Sequence, residues 1–502
     1  MIPDYFYPVT VALCLAAVIA VYFCNNPLKH GSWFMTRRFI NWLTLGMTYA
    51  FLCMGRYNIF VAKGALGSLM SNQELGIIFG TGTAVYAVSF LVNGPLIDKH
   101  LGGKRGMLIS AVGVALVNVA LGVLTWLILA RNLKVNLLAS YTLLYALNMY
   151  FQSFGAMSII KVKAYWFHVR ERGVFGAIFG TLISMGVYFA YDWGGSIIAK
   201  TKANATGWLH DLFVSATVPL DATWSVFYIP AAILMVWVVL NWWLVKDTPE
   251  EAGFSYFDTC DASSGQMHVE FSVVDLLKQV LASKLMLMVA CVELTGGVFR
   301  YSMFEWYLRF ASAVKQPGAE YFAQHWGWFT CIFGIVGGFA GGLISDKLFQ
   351  SRRGPPTAFL CGLVLITATV MALVLFTEPQ MVGWAAVFIV MASIGVTSLM
   401  SGTAATDFGG RKATATSMGI VNGFAYLGST IQSYSIGALV PPEKAGESAT
   451  FLGITRSWEW LPVFVIPFAV IGLIIAIKIW HDLPEATRRY NSGRVEKDAG
   501  GL

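Results

Sequence analysis

Long apolar runs separated by short polar loops dominate the 502-residue chain. Crossing the hydrocarbon core of a bilayer takes about 20 mostly apolar residues in helical form. The runs are continuous rather than alternating, which disfavours a membrane β-barrel. A first run at 5–23 precedes twelve predicted spans, at 39–62, 75–98, 106–130, 137–160, 173–198, 224–245, 284–312, 322–346, 357–377, 382–404, 413–438 and 459–480. The pattern predicts an all-α, polytopic membrane protein.

The longest polar stretch, residues 246–272, separates the twelve spans into two sets of six. We therefore expect two six-helix halves joined by a linker. The predicted boundaries are 1–30 for an extra N-terminal transmembrane helix, 31–246 for the first half, 247–283 for the linker, 284–482 for the second half and 483–502 for a tail.

Composition agrees with a membrane protein, because 57% of residues are hydrophobic and only 12% are charged, against about a quarter in soluble proteins. The net charge of +7 comes from Lys and Arg in short loops and is not a nucleic-acid signal. Fifteen of these basic residues lie on the side of the linker and eight on the opposite side. The positive-inside rule therefore predicts that the linker and the C-terminus are cytoplasmic.

The first apolar run carries its basic residues behind it, at Lys29, Arg37 and Arg38, rather than in front. A cleaved signal peptide has the opposite order, so we expect a helix that is kept. The seven cysteines form no Cys-x-x-Cys pair and lie mostly in apolar runs. We interpret them as small buried side chains rather than as metal ligands or disulfides.

A loop motif occurs once in each half. The first copy, "GPLIDKHLGGKRG" at 94–106, contains Asp98, and the second, "GGLISDKLFQSRRG" at 341–354, contains Asp346. Its glycines allow helices to approach closely, and its acid can pair with a basic residue or a helix N-terminus. Two copies at matching places favour a conformational latch over a chance acid in a basic loop. The predicted latch residues are Gly94, Asp98, Arg105, Asp346 and Arg353.

Arg56 and Arg300 lie in the middle of the first span of each half, at similar predicted depth. A central arginine costs roughly 2.5–3.5 kcal/mol on insertion scales, so it normally faces a partner or a cavity. Arg56 has no acid in its own span, and Glu293 lies two turns from Arg300. Glu305 is placed to pair with Arg309 one turn away instead. A structural salt bridge is therefore the weaker interpretation.

Two facing guanidinium groups repel each other until a small dianion binds between them. The planar guanidinium group binds phosphate oxygens in pairs, which lysine cannot do. The sequence therefore predicts a binding site for a small dianion, with phosphate as the leading candidate.

These features resemble the major facilitator superfamily, and within it the organophosphate:inorganic phosphate antiporters, which include glycerol-3-phosphate and hexose-phosphate transporters. The similarity covers roughly residues 40–480. Besides Arg56 and the second span, it rests on "YWFHVRERG" (165–173), "DTPEEAG" (247–253), "FRYSMFEW" (299–306) and "GFAYLGS" (423–429). The resemblance implies a fold of two pseudo-symmetric halves.

The resemblance also implies site residues. The paired arginines of the family fall on Arg56 and Arg300, and its pocket tyrosines fall on Tyr49 and Tyr86. Two basic positions of the glycerol-phosphate members match Phe90 and Ile183 here, which weakens the case for glycerol 3-phosphate as the substrate.

Further polar side chains stay open to two interpretations. Gln152, with Asn148 one turn before it, and Asn422 could contact a substrate or join neighbouring helices. For Lys161 and Lys163 at a span end we expect snorkelling to the membrane surface. Tyr57 and Tyr301 point away from the adjacent arginines and are expected to pack between helices.

The expected function is exchange of a small phosphate ester for inorganic phosphate by alternating access, by a monomer in a bacterial inner membrane. The alternatives are transport of a phosphonate, sulfonate or carboxylate, and a transporter-like sugar-phosphate sensor. We expect no enzyme activity, no cofactor, no metal and no nucleic-acid partner; the partners are the anionic substrate and the lipid bilayer. The sequence does not separate antiport from proton-coupled symport or identify the ester.

Overall fold

The computed structural model describes residues 4–24, 26–168, 171–214, 220–257, 259, 278, 282, 284–349, 352–444 and 447–481. Within these ranges the side chains of 68, 172–177, 179, 340, 342–343, 345–347 and 401–418 are excepted. The helices of the first part are α1 Phe6–Cys24, α2 Ser32–Leu66, α3 Asn72–Leu96, α4 Gly102–Arg131, α5 Leu137–Trp166, α6 Arg172–Tyr188, α7 Gly194–Lys200, α8 Trp208–Phe213 and α9 Ser225–Leu244.

The helices and strands of the second part are α10 Lys284–Val314, α11 Pro317–Gln324, α12 Trp326–Leu348, α13 Gly354–Val374, α14 Pro379–Leu439, β1 Thr450–Phe451, β2 Ile454–Thr455 and α15 Trp460–Lys478. The two strands form a short antiparallel hairpin. Single turns of 3₁₀-helix lie at Gly67–Leu69 and Glu250–Ala252, and π-helical turns at Ile97–Leu101 and Phe189–Trp193. The all-α prediction is confirmed.

In the described part of the chain, eight helical stretches are long and apolar enough to cross a membrane. Ten of the twelve predicted spans after α1 match helical segments whose ends differ by up to seven residues, and the span 173–198 continues from α6 through a π-helical turn into α7. The other two, 382–404 and 413–438, fall within one stretch assigned as helix, α14. Both contact the same part of α10, because Thr397 donates to Glu293 at 3.3 Å and a Cβ on Gly428 would lie 2.0 Å from the carbonyl oxygen of Leu294. Since residues 397 and 428 would be about 46 Å apart along one straight helix, the chain turns back between the two runs. The residues between the two runs are assigned as helical backbone, although they include Gly409 and Gly410, which are poor helix formers.

The two halves meet along α3 and α14, where glycines allow close contact. A Cβ on Gly76 would lie 2.5 Å from the carbonyl oxygen of Ser433, and one on Gly80 would lie 3.0 Å from the ring of Tyr434. The side without the linker, which we call the far side, adds two ion pairs between the halves. Lys63 binds Glu443 and Lys444 binds Glu74, each at 2.5 Å. The far ends of the halves are therefore joined.

On the linker side, a buried ion pair connects α2 with the loop between α5 and α6. Arg38 donates to both carboxylate oxygens of Glu171, at 2.8 and 2.9 Å, and to the carbonyl oxygen of Trp166 at 3.2 Å. His30 Nε2 lies 3.4 Å from the same carboxylate. Burial alone would raise the pKa of Glu171, but the hydrogen bonds and charges of His30 and Arg38 outweigh burial and lower that pKa to about 2.

Replacing Glu171 by glutamine should lower the midpoint of thermal unfolding in detergent at pH 7. Because the carboxyl pKa is lower in the folded protein than its ordinary value of 4.5, ionised Glu171 stabilises the fold fully above about pH 5, and this stabilisation is lost as the pH falls towards 2. The difference between Glu171→Gln and wild type should therefore shrink by about half at pH 3. The exposed Glu250→Gln serves as the matched control, with no expected difference at either pH. An equal difference at pH 7 and pH 3 would contradict this assignment.

The predicted extra helix, α1, is bound at its two ends to different halves. Near its start, Thr10 accepts a hydrogen bond of 2.7 Å from the indole of Trp328, and the ring of Tyr7 stacks 3.8 Å from that of His325. Near its end, the Tyr22 hydroxyl donates to the carbonyl oxygen of Met35 at 2.8 Å and accepts from Arg38 at 3.0 Å. The helix thus bridges the second half and the first.

Candidate functional site

Arg56 is buried in the middle of α2, and its guanidinium group has three neutral partners. It donates to the hydroxyl of Tyr426 at 2.9 Å, to the hydroxyl of Tyr86 at 3.0 Å and to the amide oxygen of Gln152 at 2.9 Å. Among the residues that the structure describes, no carboxylate forms an ion pair with Arg56. Its charge is therefore held in place by hydrogen bonds but not neutralised.

Two amides on α5 fix this part of α2. Gln152 donates to the carbonyl oxygen of Leu52 at 2.7 Å, and Asn148 donates to that of Gly55 at 3.0 Å. Gly55 allows close packing, because a Cβ there would lie 3.0 Å from the amide nitrogen of Asn118. Gln152 therefore joins two helices, which was one of its two open interpretations, and it also positions Arg56; contact with a substrate stays a prediction.

Arg300 is less tightly held than Arg56. Its side chain is half-buried, and its guanidinium carbon lies 5.2 Å from the ring centre of Tyr301, a distance typical of a cation–π contact. Its Nε is buried and has no hydrogen-bond partner among the described side chains. The described residues provide no ion pair for Arg300; Glu293, two turns away, is within electrostatic reach of Arg300 and accepts from Thr397 at 3.3 Å. A guanidinium group held this loosely can accept an additional ligand.

Aromatic rings connect the two arginines. The Tyr426 ring lies 5.6 Å from the ring of Tyr301 and 4.2 Å from the ring of Tyr86. The guanidinium group of Arg300 lies over the Tyr301 ring, and that of Arg56 lies over the Tyr86 ring. Tyr426 is also within electrostatic reach of both guanidinium groups. The structure thus brings Arg56 and Arg300 to one aromatic-lined region that joins α2, α3, α10 and α14.

The other predicted site residues lie near this region with weaker contacts. Tyr49 is buried and within electrostatic reach of Arg56. Asn422 is half-buried on α14, one turn before Tyr426, and none of the hydrogen bonds found in the described residues involves its side chain. Phe90 is buried with its ring 4.4 Å from that of Tyr86, so it lines the region, whereas Ile183 is 39% exposed and points away.

Sequence reasoning missed Tyr426 as a site residue. The tyrosine lies within "GFAYLGS", which carries the resemblance, but the motif alone does not show that its hydroxyl meets Arg56, 370 positions earlier. Tyr301 was expected to serve packing alone. It packs against Phe79 and Phe304, and Arg300 also lies over its ring.

The expected pairing of Glu305 with Arg309 is wrong. Glu305 accepts hydrogen bonds of 2.7 Å from Gln432 and from Ser433 on α14. Arg309 donates to the carbonyl oxygen of Phe60 at 3.5 Å instead. The two side chains are one turn apart on α10, but α14 presents closer partners to the carboxylate.

The first copy of the predicted latch motif contains a buried ion pair. Asp98, in the π-helical turn Ile97–Leu101, lies 2.9 Å from the ammonium group of Lys161 on α5. Snorkelling was the wrong expectation for Lys161, whose side chain is only 6% exposed because it reaches this carboxylate rather than the membrane surface.

The remaining latch residues differ in their surroundings. Gly94 is buried, Arg105 is exposed, and Arg353 is half-buried just before α13. The side chain of Asp346 lies outside the described side chains. The π-helical turn is followed by Gly102, which has a φ of +70°. A Cβ on Gly102 would lie 2.5 Å from the carboxylate of Asp247, which also accepts from the backbone N–H of Lys104 at 2.6 Å. The start of the linker thus packs against this loop.

The fold defines a class of protein: a bundle of membrane-spanning helices in two halves, with two arginines, one buried and one half-buried, between them and an ion-paired loop at one end. The chain belongs to the Major Facilitator Superfamily, whose family description matches residues 45–433. Within the described residues, no group of three or more His, Cys, Asp or Glu could hold a metal ion.

Its relatives agree with the resemblance to the organophosphate:phosphate antiporters. A glycerol-3-phosphate transporter of Bacillus subtilis is 25% identical over 72% of this chain and 76% of its own length. A probable hexose phosphate transport protein of Chlamydia trachomatis is 21% identical over 83% and 85%. The membrane sensor protein UhpC of Salmonella typhimurium is 23% identical over 86% and 88%. None of these relatives is described as an enzyme.

Solved structures support the fold alone. A bacterial homologue of the human lysosomal transporter Spinster, in an inward-facing and unoccupied conformation, superposes with a TM-score of 0.65 at 15% identity, over 90% of this chain and 98% of its own. The Escherichia coli fucose:proton symporter FucP superposes with a TM-score of 0.54 at 14% identity, over 88% and 98%.

Proposed function

We propose that the protein is a secondary transporter that exchanges a small organophosphate, such as a sugar phosphate or glycerol phosphate, for inorganic phosphate by alternating access. The observation that carries this proposal is the placement of Arg56 and Arg300 in one aromatic-lined region, where neither forms an ion pair with a carboxylate among the described residues. Two such charges match a phosphoryl group, which carries a charge of about −1.5 to −2 near neutral pH.

The geometry suggests how the anion binds. Arg56 is preorganised by Tyr86, Tyr426 and Gln152, so little conformational entropy is lost when it meets a phosphate oxygen. Arg300 lacks such partners and can turn from the ring of Tyr301 towards the ligand. Binding would neutralise two like charges on opposite halves, which removes their repulsion and lets the halves close around the substrate.

The surrounding residues support a division of roles. Tyr49 and Tyr86 would shape the phosphate pocket, and Asn422 would contact the ester part of the substrate. Opening and closing would involve the loop ion pair of Asp98 and Lys161 on one side and the pairs of Lys63 and Lys444 on the other. We place the protein in a bacterial inner membrane, as a monomer with its linker and C-terminus in the cytoplasm.

The test is uptake of labelled phosphate by proteoliposomes that contain the purified protein. Vesicles loaded with phosphate should take up label, whereas vesicles loaded with sulfate or a neutral sugar should not. Unlabelled glycerol 3-phosphate and hexose phosphates should inhibit uptake of labelled phosphate more strongly than phosphonates, sulfonates and carboxylates do. A protonophore should leave the exchange unchanged. Uptake into vesicles without internal phosphate, driven by a pH gradient, would instead show proton-coupled symport.

A second candidate function is sensing, favoured by the similarity to the membrane sensor protein UhpC of Salmonella typhimurium along most of the chain. A sensor would bind a sugar phosphate without moving it. A ligand-induced rise in thermal stability together with no measurable uptake in proteoliposomes would favour this function over transport.

A further inference from the structure

A cavity of about 410 Å³ opens at the far side between the two halves. This volume is in the range of about 300–1,000 Å³ typical of small-molecule sites. Helices α2 and α7 line it from the first half, and α10 and α11 line it from the second. The polar lining residues are Tyr191, Asp192, Ser196, Arg309 and Gln324.

Arg309 provides the cavity with a cation that has no close anionic partner in the part of the chain that the structure describes. Its residue is only 9% exposed, and its hydrogen bond in the described structure is the 3.5 Å contact with the carbonyl oxygen of Phe60. Glu443 is within electrostatic reach of Arg309, but the carboxylate of Glu443 binds Lys63 at 2.5 Å. A buried cation is costly unless it is paired, so this position is suited to bind an anion.

Among the described residues, Asp192 is the one acid that lines the cavity, and the backbone already engages it. Asp192 accepts hydrogen bonds from the N–H groups of Gly327 and Trp328, at 2.8 and 3.0 Å, at the start of α12. A carboxylate bound by two N–H groups at a helix N-terminus has most of its charge compensated. It therefore repels an anion beside Arg309 less than a free carboxylate would.

A layer of aromatic rings separates this cavity from the central arginines. Tyr191 lines the cavity, and its hydroxyl donates to the carbonyl oxygen of Phe304 at 2.7 Å, across the two halves. Its ring lies 6.1 Å from the ring of Tyr57, the residue after Arg56. Arg309 is nine residues beyond Arg300 on α10, which corresponds to about 13 Å along a helix. The cavity is thus a compartment of its own on the same path.

We propose that this cavity is a second anion site, in which Arg309 binds inorganic phosphate or a phosphate monoester from the far side before the aromatic layer opens. The inference rests on the proposed function, since the second site would bind the anion on the far side before the anion reaches the central pair of arginines. Tyr57, Tyr191 and Phe304 act as the barrier between the two sites.

The test uses a reporter cysteine at Ser196, which is exposed and lines the cavity. The reaction rates of Ser196→Cys with an anionic and a cationic methanethiosulfonate reagent are compared, and the rates of the parent protein with its native cysteines are subtracted. Millimolar inorganic phosphate should slow the anionic reagent several-fold. Adding Arg309→Gln should abolish this protection and lower the anionic-to-cationic rate ratio about fivefold or more, as expected for removal of one charge a few ångströms away.

Two further variants make the result specific. Arg309→Lys keeps the charge without the paired donors, and should retain part of the protection. Lys315→Gln removes an exposed charge six residues further along, and should retain all of it. The inference is overturned if phosphate does not protect the reporter in the Arg309 protein, or protects equally after Arg309→Gln. This measurement does not require transport, so the two proposals can fail separately. If phosphate protects the reporter but the protein does not exchange phosphate, only the proposed function is rejected. If the protein exchanges phosphate but phosphate does not protect the reporter, only the second site is rejected.

Discussion

An Arg56→Lys protein should lose phosphate exchange by about 100-fold while remaining folded. Arg56 donates three hydrogen bonds to Tyr86, Tyr426 and Gln152 and offers a planar group to a phosphoryl ligand. Lysine keeps the charge but not the paired geometry. Hydrogen bonds that involve a charged group contribute about 1.5–3 kcal/mol each, and about 2.8 kcal/mol corresponds to a factor of 100.

The measurement is initial uptake of labelled phosphate into phosphate-loaded proteoliposomes, with the amount of reconstituted protein matched. Arg300→Lys should show a loss in the same direction, and Tyr426→Phe a smaller one, because it removes one acceptor of Arg56. The exposed Arg131→Lys makes the same chemical change outside the site and should retain full exchange. Full exchange in both Arg56→Lys and Arg300→Lys would refute the dianion site.

Gly297→Ala should destabilise the protein by about 3 kcal/mol, at the upper end of the usual cost of overpacking. A Cβ at Gly297 would lie 1.9 Å from the carbonyl oxygen of Ala425, and one at Gly428 would lie 2.0 Å from that of Leu294. The backbones of α10 and α14 therefore touch at two reciprocal points, and a single methyl group forces them apart. Because α10 carries Arg300 and α14 carries Tyr426, exchange should fall as well.

The comparison is the midpoint of thermal unfolding in detergent, followed by tryptophan fluorescence and by size-exclusion profiles after heating. Gly362→Ala is the matched control, since no atom lies within 4 Å of a Cβ built there. In a helix, Gly362→Ala should stabilise the protein by about 0.5–1 kcal/mol, whereas Gly297→Ala should destabilise it. Equal midpoints for Gly297→Ala and wild type would show that the two helices can separate without cost.

Hydrophobic patterning was sufficient to predict most of the helices, because spanning a bilayer imposes the same length and apolarity on each of them. It did not predict the conformation of the residues between the spans 382–404 and 413–438, which are assigned as helix within α14. Apolar runs reveal where a chain can be buried in lipid. They do not reveal whether the polar residues between two runs leave the helical conformation.

The candidate site was predicted in part for a different reason. A buried arginine is energetically costly in a membrane, so Arg56 and Arg300 could be recognised from the sequence as candidate site residues. Their neighbours were not, because the contact between Arg56 and Tyr426 depends on how α2 and α14 pack, over a separation of 370 residues. Lys161 shows the same limit, since its partner Asp98 lies on another helix and a span-end lysine normally reaches the membrane surface.

Helix α1 has a mechanical consequence, because one of its ends is bound to the second half and the other end to the first half. Thr10, on Trp328, and Tyr22, on Met35 and Arg38, are twelve residues apart, about 18 Å along a rigid helix. If the halves rotate about the central site, the distance between these two anchoring points changes, but the length of the helix cannot. Each transport cycle would then have to tilt α1 or release one of its ends, so the lipid beside α1 would be displaced in step with the movement of substrate.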